Sequence, residues 1–264
     1  MRIMFLSHMP QDPRQREHNA RIEASLQEYA SPGTRVELCF PDDYPGSKVS
    51  EDLVVRNEIP GIHHLLQTPA LVRKIVWAEQ NGYDAVVQSN TFDPGVEAAR
   101  QAVRIPVIGV FRTSLHVAAS LTDAIGVVVP LESHVAYTWQ IVHGYHMREL
   151  VKDIDFVGGY GPGVADRKAQ VFARTVEVMR ALVQRTRVGA LIPLGGAVFP
   201  TLVSPADIER EVGVPVLNTK AIGIRFAELC VQLRLSHSSL TRPSAPLRYE
   251  DFGAYAYGPE HPSV

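Results

Sequence analysis

The sequence predicts an α/β protein of two similar lobes, each a mainly parallel sheet flanked by helices, with the active site in the cleft between them. Three observations carry this expectation. Short β-branched runs alternate with helix-like segments along the chain, the runs are almost wholly apolar, and two distant stretches repeat one plan. Alternation at this spacing is the pattern of βαβ units, and an apolar run without alternation is a strand covered on both faces.

The runs are Ile3 to Leu6, Val36 to Phe40, Ala85 to Val87, Val107 to Phe111, Val127 to Val129, Phe156 to Gly158, Ala190 to Leu194 and Val216 to Leu217. Each meets Gly, Ser, Asn or Pro before the next helix-like segment. Open parallel sheets bind ligands beyond the C-terminal ends of their strands, so the loops after these runs are where chemistry is sought.

The repeated plan is a strand, a loop of small residues, a helix, and a second strand opened by a β-branched residue, Pro and Val. Tyr83-Asp-Ala-Val-Val-Gln-Ser-Asn-Thr-Phe leads to Ile105-Pro-Val-Ile-Gly, and Val188-Gly-Ala-Leu-Ile-Pro-Leu-Gly-Gly-Ala leads to Val214-Pro-Val-Leu-Asn. Two related lobes would each bring one such loop to a shared cleft. Residues 1–112 with 220–264 are assigned to one lobe and 113–219 to the other.

Asp93-Pro94-Gly95 reads as a helix start, with Asp93 as cap, Pro94 in the first turn and Val96, Ala99 and Val103 as the apolar stripe. Its free amides would favour an anion such as a carboxylate or enolate. The stretch from Asp42 to Ile62 reads as a lid or interface loop. The tail from Thr241 to Val264 reads as a surface wrap or subunit contact.

Composition narrows the function classes. Of 264 residues, 45% are apolar and 20% charged, with a formal net charge of -2. That balance suits a globular protein and argues against a nucleic-acid partner. The longest apolar stretches fall short of the ~20 residues that span a bilayer, and no signal peptide is evident, so a soluble, cytoplasmic protein without a membrane partner is expected. Cys39 and Cys230 read as separate buried thiols. No dinucleotide fingerprint or Walker loop occurs, and Gly158-Gly-Tyr-Gly-Pro-Gly is interrupted by proline. His63-His64 and His143-x-x-His146 lack a convincing third ligand, so neither metal nor other cofactor is expected.

Gly82-Tyr-Asp-Ala-Val-Val-Gln-Ser-Asn-Thr-Phe-Asp-Pro-Gly-Val-Glu-Ala-Ala-Arg, followed by Ile105-Pro-Val-Ile-Gly, resembles the first active-site segment of the aspartate/glutamate/hydantoin racemases. Val188 to Gly196 with Val214-Pro-Val-Leu is similar to their second half-site. The resemblance implies two-base proton transfer at a substrate α-carbon, with one thiol on each face. This chain departs at both thiols. Ser89-Asn90-Thr91 stands where the first cysteine is expected and Gly196 where the second is. The fold is expected to be kept and thiol chemistry excluded, with the second loop serving as a backbone cradle for an anion.

The candidate groups lie at strand ends. His8, Asn90, Thr91 and Glu132 are the catalytic candidates. Ser7, Phe92, Arg112, Thr113, Gly195, Gly196 and Ala197 are the substrate-binding ones. His8 titrates near neutrality without special tuning, and its bland alternative is a surface-bonded loop histidine. Arg112 suits two-point carboxylate binding or a salt bridge. Glu132 is a carboxylate base or the start of the helix carrying Val135 and Trp139. Asn90 and Thr91 would hydrogen-bond a substrate amide or carboxylate.

The expected activity is cofactor-independent and racemase-like, on a small carboxylate, imide or amide. Decarboxylase, lyase, hydratase or hydrolase chemistry on the same fold is the alternative, and a non-catalytic ligand-binding protein is a third reading. The expected partners are the small-molecule substrate and further copies of the chain.

Overall fold

The computed structural model describes residues 1–55, 62–159, 163–196, 198–243 and 247–252. The first half runs β1 (Arg2–Leu6), α1 (Arg16–Tyr29), β2 (Arg35–Cys39), α2 (Ser47–Val55), α3 (Ile62–Gln80), β3 (Ala85–Gln88), α4 (Val96–Ala99), β4 (Val107–Gly109) and α5 (Val110–Ala119). The second runs β5 (Ile125–Val129), α6 (Ser133–Gly144), β6 (Val151–Phe156), α7 (Lys168–Thr186), β7 (Ala190–Pro193), α8 (Pro205–Val212) and α9 (Thr219–Gln232).

Two parallel sheets result, wound alike. The first has the order β2-β1-β3-β4 and the second β6-β5-β7, which a bridge between Leu191 and Val216 extends by one position. Ile3 pairs with Ala85 in the first sheet and Ile125 with Ala190 in the second, so β3 and β7 are register equivalents. The repeat read from the sequence is thus a repeat of topology.

Apolar burial explains the layers. Helix α9 sets Ile224, Ala227 and Cys230 against Ile3, Phe5, Ala85 and Val87 of the first sheet. Helix α5 sets Phe111, Leu115 and Ala118 against Val127, Val129, Ala190 and Ile192 of the second. Each helix follows the last strand of one half and covers the sheet of the other. Burying each large side chain contributes on the order of 2 kcal/mol.

Three local expectations are corrected. The run Val107 to Phe111 is not all strand, because β4 ends at Gly109 and Val110 opens α5. An apolar run continues without a break when a buried helix follows a buried strand. The strand expected over Phe156 to Gly158 lies earlier, at Val151–Phe156. It is an edge strand, and Arg185 pairs with its Asp153 and Asp155 at 2.7 and 2.9 Å.

The third concerns Asp93, which does not cap its own helix. Helix α4 is a single turn that starts at Val96 after Gly95 at φ 75°. The buried Asp93 carboxylate instead accepts hydrogen bonds from the N–H groups of Phe111 and Arg112, at 3.0 and 2.8 Å, and from the Tyr145 hydroxyl at 2.9 Å. It caps α5, so the anion site expected at its own helix is withdrawn. Val96, Ala99 and Val103 do form a buried stripe.

The expected loop from Asp42 to Ile62 contains α2, and its residues 56–61 lie outside the described residues. Of the tail, Tyr249 hydrogen-bonds Asp42 at 2.6 Å and stands under the Arg73 guanidinium, while residues 253–264 lie outside the described set.

Candidate active site

The loops after β1, β3, β5 and β7 meet between the two sheets and line a partly open cavity of about 210 Å³. Ser7 and His8 follow β1, Ser89 to Phe92 follow β3, Pro130 follows β5, and Gly195 and Gly196 follow β7. Helices α3, α6 and α9 add His63 and Gln67, His134, and Lys220. The site therefore sits where parallel strands leave unpaired backbone at their C-terminal ends.

The two repeated loops touch. The Gly195 N–H donates to Thr91 Oγ1 across the cleft at 2.8 Å. Among the described residues the backbone N–H groups of Thr91 and Gly196 have no hydrogen-bond partner. Gly195 sits at φ 100°, and a Cβ there would lie 2.3 Å from Pro130 Cγ, so only glycine allows this loop to approach. Asn90 folds its loop as an Asx turn, its Oδ1 accepting from Phe92 N–H at 2.9 Å. The amino end of its carboxamide is left as a donor.

Electrostatically the cavity holds no carboxylate among its described lining residues. His8 keeps some exposed surface, yet burial, with a smaller contribution from His63, lowers its imidazole to about 4. Burial and His63 bring His134 to about 4 as well. Both are neutral at pH 7 and weak as bases. Burial lowers the Lys220 ammonium to about 8. Its Nζ donates to Thr201 Oγ1 at 2.6 Å. Gln67 is fully buried, and its Oε1 has no hydrogen-bond partner.

The profile of the Asp/Glu/hydantoin racemase family matches residues 20–227. The chain belongs to that family. It is 29% identical over 191 residues to the hydantoin racemase of a Pseudomonas species (strain NS671), covering 72% of this chain and 75% of that one. To the hydantoin racemase of Rhizobium meliloti it is 27% identical over 173 residues, 64% of this chain and 68% of the other. Among solved structures, the allantoin racemase from Klebsiella pneumoniae superposes with a TM-score of 0.75 at 20% identity, with 94% of each chain covered. The matches make this a racemase-type enzyme with the two-lobed α/β fold of its relatives.

Among the described residues the cavity lining contains no cysteine. Cys39 ends β2 and Cys230 lies on α9, and burial raises both thiols above their ordinary range. Neither faces the cavity.

Of the residues singled out from sequence, Ser7, His8, Asn90, Thr91, Phe92, Gly195 and Gly196 line one cavity. Arg112, Thr113 and Glu132 do not. Arg112 lies on α5, where it pairs with Glu97 at 2.9 Å and stacks over Tyr145. Thr113 is buried within α5, and Glu132 is exposed at the start of α6. Ala197 lies outside the described residues.

The polar helix residues of the lining that sequence reasoning passed over as site residues are His18 on α1, His63 and Gln67 on α3, His134 on α6 and Lys220 on α9. For Lys220 a signal existed. Aligning Ile105-Pro-Val-Ile-Gly with Val214-Pro-Val-Leu-Asn places Lys220 opposite Phe111, a fully buried core residue. A lysine at a position that the repeat reserves for the core is a buried charge. His, Cys, Asp and Glu form no group of three that could hold a metal ion among the described residues.

No helix of the described residues is long and apolar enough to cross a membrane.

Proposed function

We propose that this racemase-family protein moves a proton at the carbon beside a carbonyl of a small imide, amide or carboxylate, without a cofactor and without thiols. The observation that carries the reading is the Gly195 N–H to Thr91 Oγ1 hydrogen bond, which brings the two repeated loops to one point inside a cavity. Proton abstraction beside a carbonyl develops negative charge on its oxygen. Fixed donors that face that oxygen lower the barrier most. The unpartnered amides of Thr91 and Gly196 and the Asn90 carboxamide are such donors.

The substrate class follows from the complementary acceptor. Gln67 Oε1 is buried without a donor, a state that costs about 1–3 kcal/mol until something fills it. A substrate with an N–H beside its carbonyl, such as a cyclic imide or an amide, satisfies Gln67 and the amides together. His8, neutral at pH 7, offers a ring N–H as a hydrogen-bond donor on the first-lobe side.

The reading is tested by incubating the protein with 5-substituted hydantoins, N-acyl amino acids and free amino acids in heavy water and following α-proton exchange by NMR. Exchange is expected with at least one imide or amide. Asn90→Ala and His8→Ala are each expected to slow it at least about tenfold. Unchanged rates in both variants would remove these side chains from the chemistry.

A further inference from the structure

Lys220 is 7% exposed, lines the cavity, and has no carboxylate partner among the described residues. Its one hydrogen bond is to the Thr201 hydroxyl. A buried ammonium without an anion is costly, so the group either sheds its proton or awaits a negative charge from outside the chain. Both states are what a group that alternately takes and gives a proton requires.

Its position is more telling than its burial. A Cβ built on Gly196 would lie 3.8 Å from Lys220 Cε and 3.6 Å from the Ser89 carbonyl oxygen. The lysine therefore runs past the point from which a side chain at position 196 would enter the cavity. Thr91 and Asn90 line the same cavity from the other half. Helix α9 starts where Asn218 accepts a hydrogen bond from Ala221 N–H at 3.1 Å, which fixes Lys220 in its first turn beside the β7 loop.

We propose that Lys220 is the catalytic acid and base on the second-lobe face, working from the space beside Gly196 that a side chain at that position would otherwise enter. The proposal rests on the proton-transfer reading given above. As the substrate C–H bond breaks, its proton goes to the lysine amine and its electron pair moves into the carbonyl, giving an enolate and an ammonium that sit as a pair. The ammonium, or its deuterated form after exchange with solvent, then returns a proton to carbon as the carbonyl re-forms. Nothing is oxidised or reduced, and no co-reactant is consumed. A group with a pKa near 8 suits the step better than the His8 and His134 imidazoles near 4, because proton transfer is most efficient when the base titrates close to the working pH.

The test compares α-proton exchange in heavy water by the native protein, Lys220→Met and Lys220→Arg on the same imide and amide panel. Melting temperatures are measured alongside. Both variants are expected to lose at least about a hundredfold in exchange rate. Arginine keeps the charge but cannot give up its proton. Lys220→Met should melt no lower than the native protein, since it removes an unpaired buried charge. Exchange by either variant within threefold of native would overturn the role of Lys220 while leaving the proton-transfer reading in place. Absence of exchange by the native protein across the panel would overturn that reading and the role of Lys220 with it.

Discussion

The loop after β3 and the loop after β7 hold equivalent places in the two halves, yet they build the cavity by opposite means. The first offers side chains, Asn90 and Thr91, while the second offers backbone at Gly195 and Gly196. With Ala85 equivalent to Ala190, Asn90 falls opposite Gly195, Thr91 opposite Gly196 and Asp93 opposite Val198. The following strands place Gly109 opposite Asn218 and Phe111 opposite Lys220. The repeated framework fixes where a group can stand and leaves its chemistry free to differ between the halves. A pair of equivalent positions can therefore be perturbed to measure how far the halves have separated.

The largest difference is expected at the caps of the exchanged helices. Helix α5 is held from a distance by Asp93, which accepts two backbone N–H groups and the Tyr145 hydroxyl. Gly109 is required for that approach, since a Cβ there would sit 2.6 Å from Asp93 Cγ. Helix α9 is capped locally by Asn218, the residue equivalent to Gly109. Asp93→Ala leaves three donors unpaired, at about 1–3 kcal/mol for each one that is buried, so a loss of at least about 3 kcal/mol is expected. Asn218→Ala should lose only about 1 kcal/mol. Equal losses in urea titrations would show that the two caps are interchangeable.

Next comes the glycine pair. Gly195→Ala places a Cβ within 2.3 Å of Pro130 Cγ on a backbone at φ 100°. Conformational strain and overpacking together should cost about 3 kcal/mol. At Gly196 the nearest atoms to a Cβ are 3.6 and 3.8 Å away, which is ordinary contact, and no positive φ is involved. Gly196→Ala should stay within about 1 kcal/mol of native. Thermal melts of the two variants separate the cases, and an intact Gly195→Ala protein would mean that the β7 loop has another way to reach Thr91.

How much of this could be read from the sequence depended on burial. Strands covered on both faces, such as β1, β3 and β7, stand out as apolar runs, and the paired Ile105-Pro-Val and Val214-Pro-Val openings exposed the repeat. The edge strand β6 was displaced because Lys152, Asp153 and Asp155 break its apolar run. The junction at Gly109 was invisible because Val110 and Phe111 are as buried as the strand before them. In the site, the residues following β1, β3 and β7 line the cavity because register fixes those strand ends, whereas Arg112 and Thr113, read as following the fourth strand, lie inside α5. Glu132 failed that rule by two residues, with Pro130 at the cavity and Glu132 already starting α6. Lys220, His134 and Gln67 reach the cavity from helices. Their contribution depends on how helices pack across the cleft, which no local pattern records, although the long-range repeat marks Lys220 as a charge at a core position.

The smallest effect at neutral pH, and the sharpest in acid, is expected where the halves press histidines together. His64 on α3 stacks on the Tyr137 ring of α6 at 5.2 Å between ring centroids and lies tilted against His63 at 3.6 Å and Phe92 at 5.2 Å. Neither of its nitrogens has a hydrogen-bond partner. Burial, then the neighbouring His63, His8 and His134, depress it from 6.5 to about 2. A histidine whose folded pKa is depressed binds its proton more readily when unfolded. Its contribution to stability is thus complete above about 6.5 and is lost as the pH falls below that value. His8 and His134, both near 4, act in the same direction. The native melting temperature should decline steadily from pH 6.5 to pH 4. His64→Leu should differ from native by no more than about 1 kcal/mol at pH 7, because an apolar side chain of similar reach replaces a ring that makes no hydrogen bond. In acid the same variant should lose stability less steeply. An acid limb of unchanged slope would place the titrating groups elsewhere and leave His64 as packing alone.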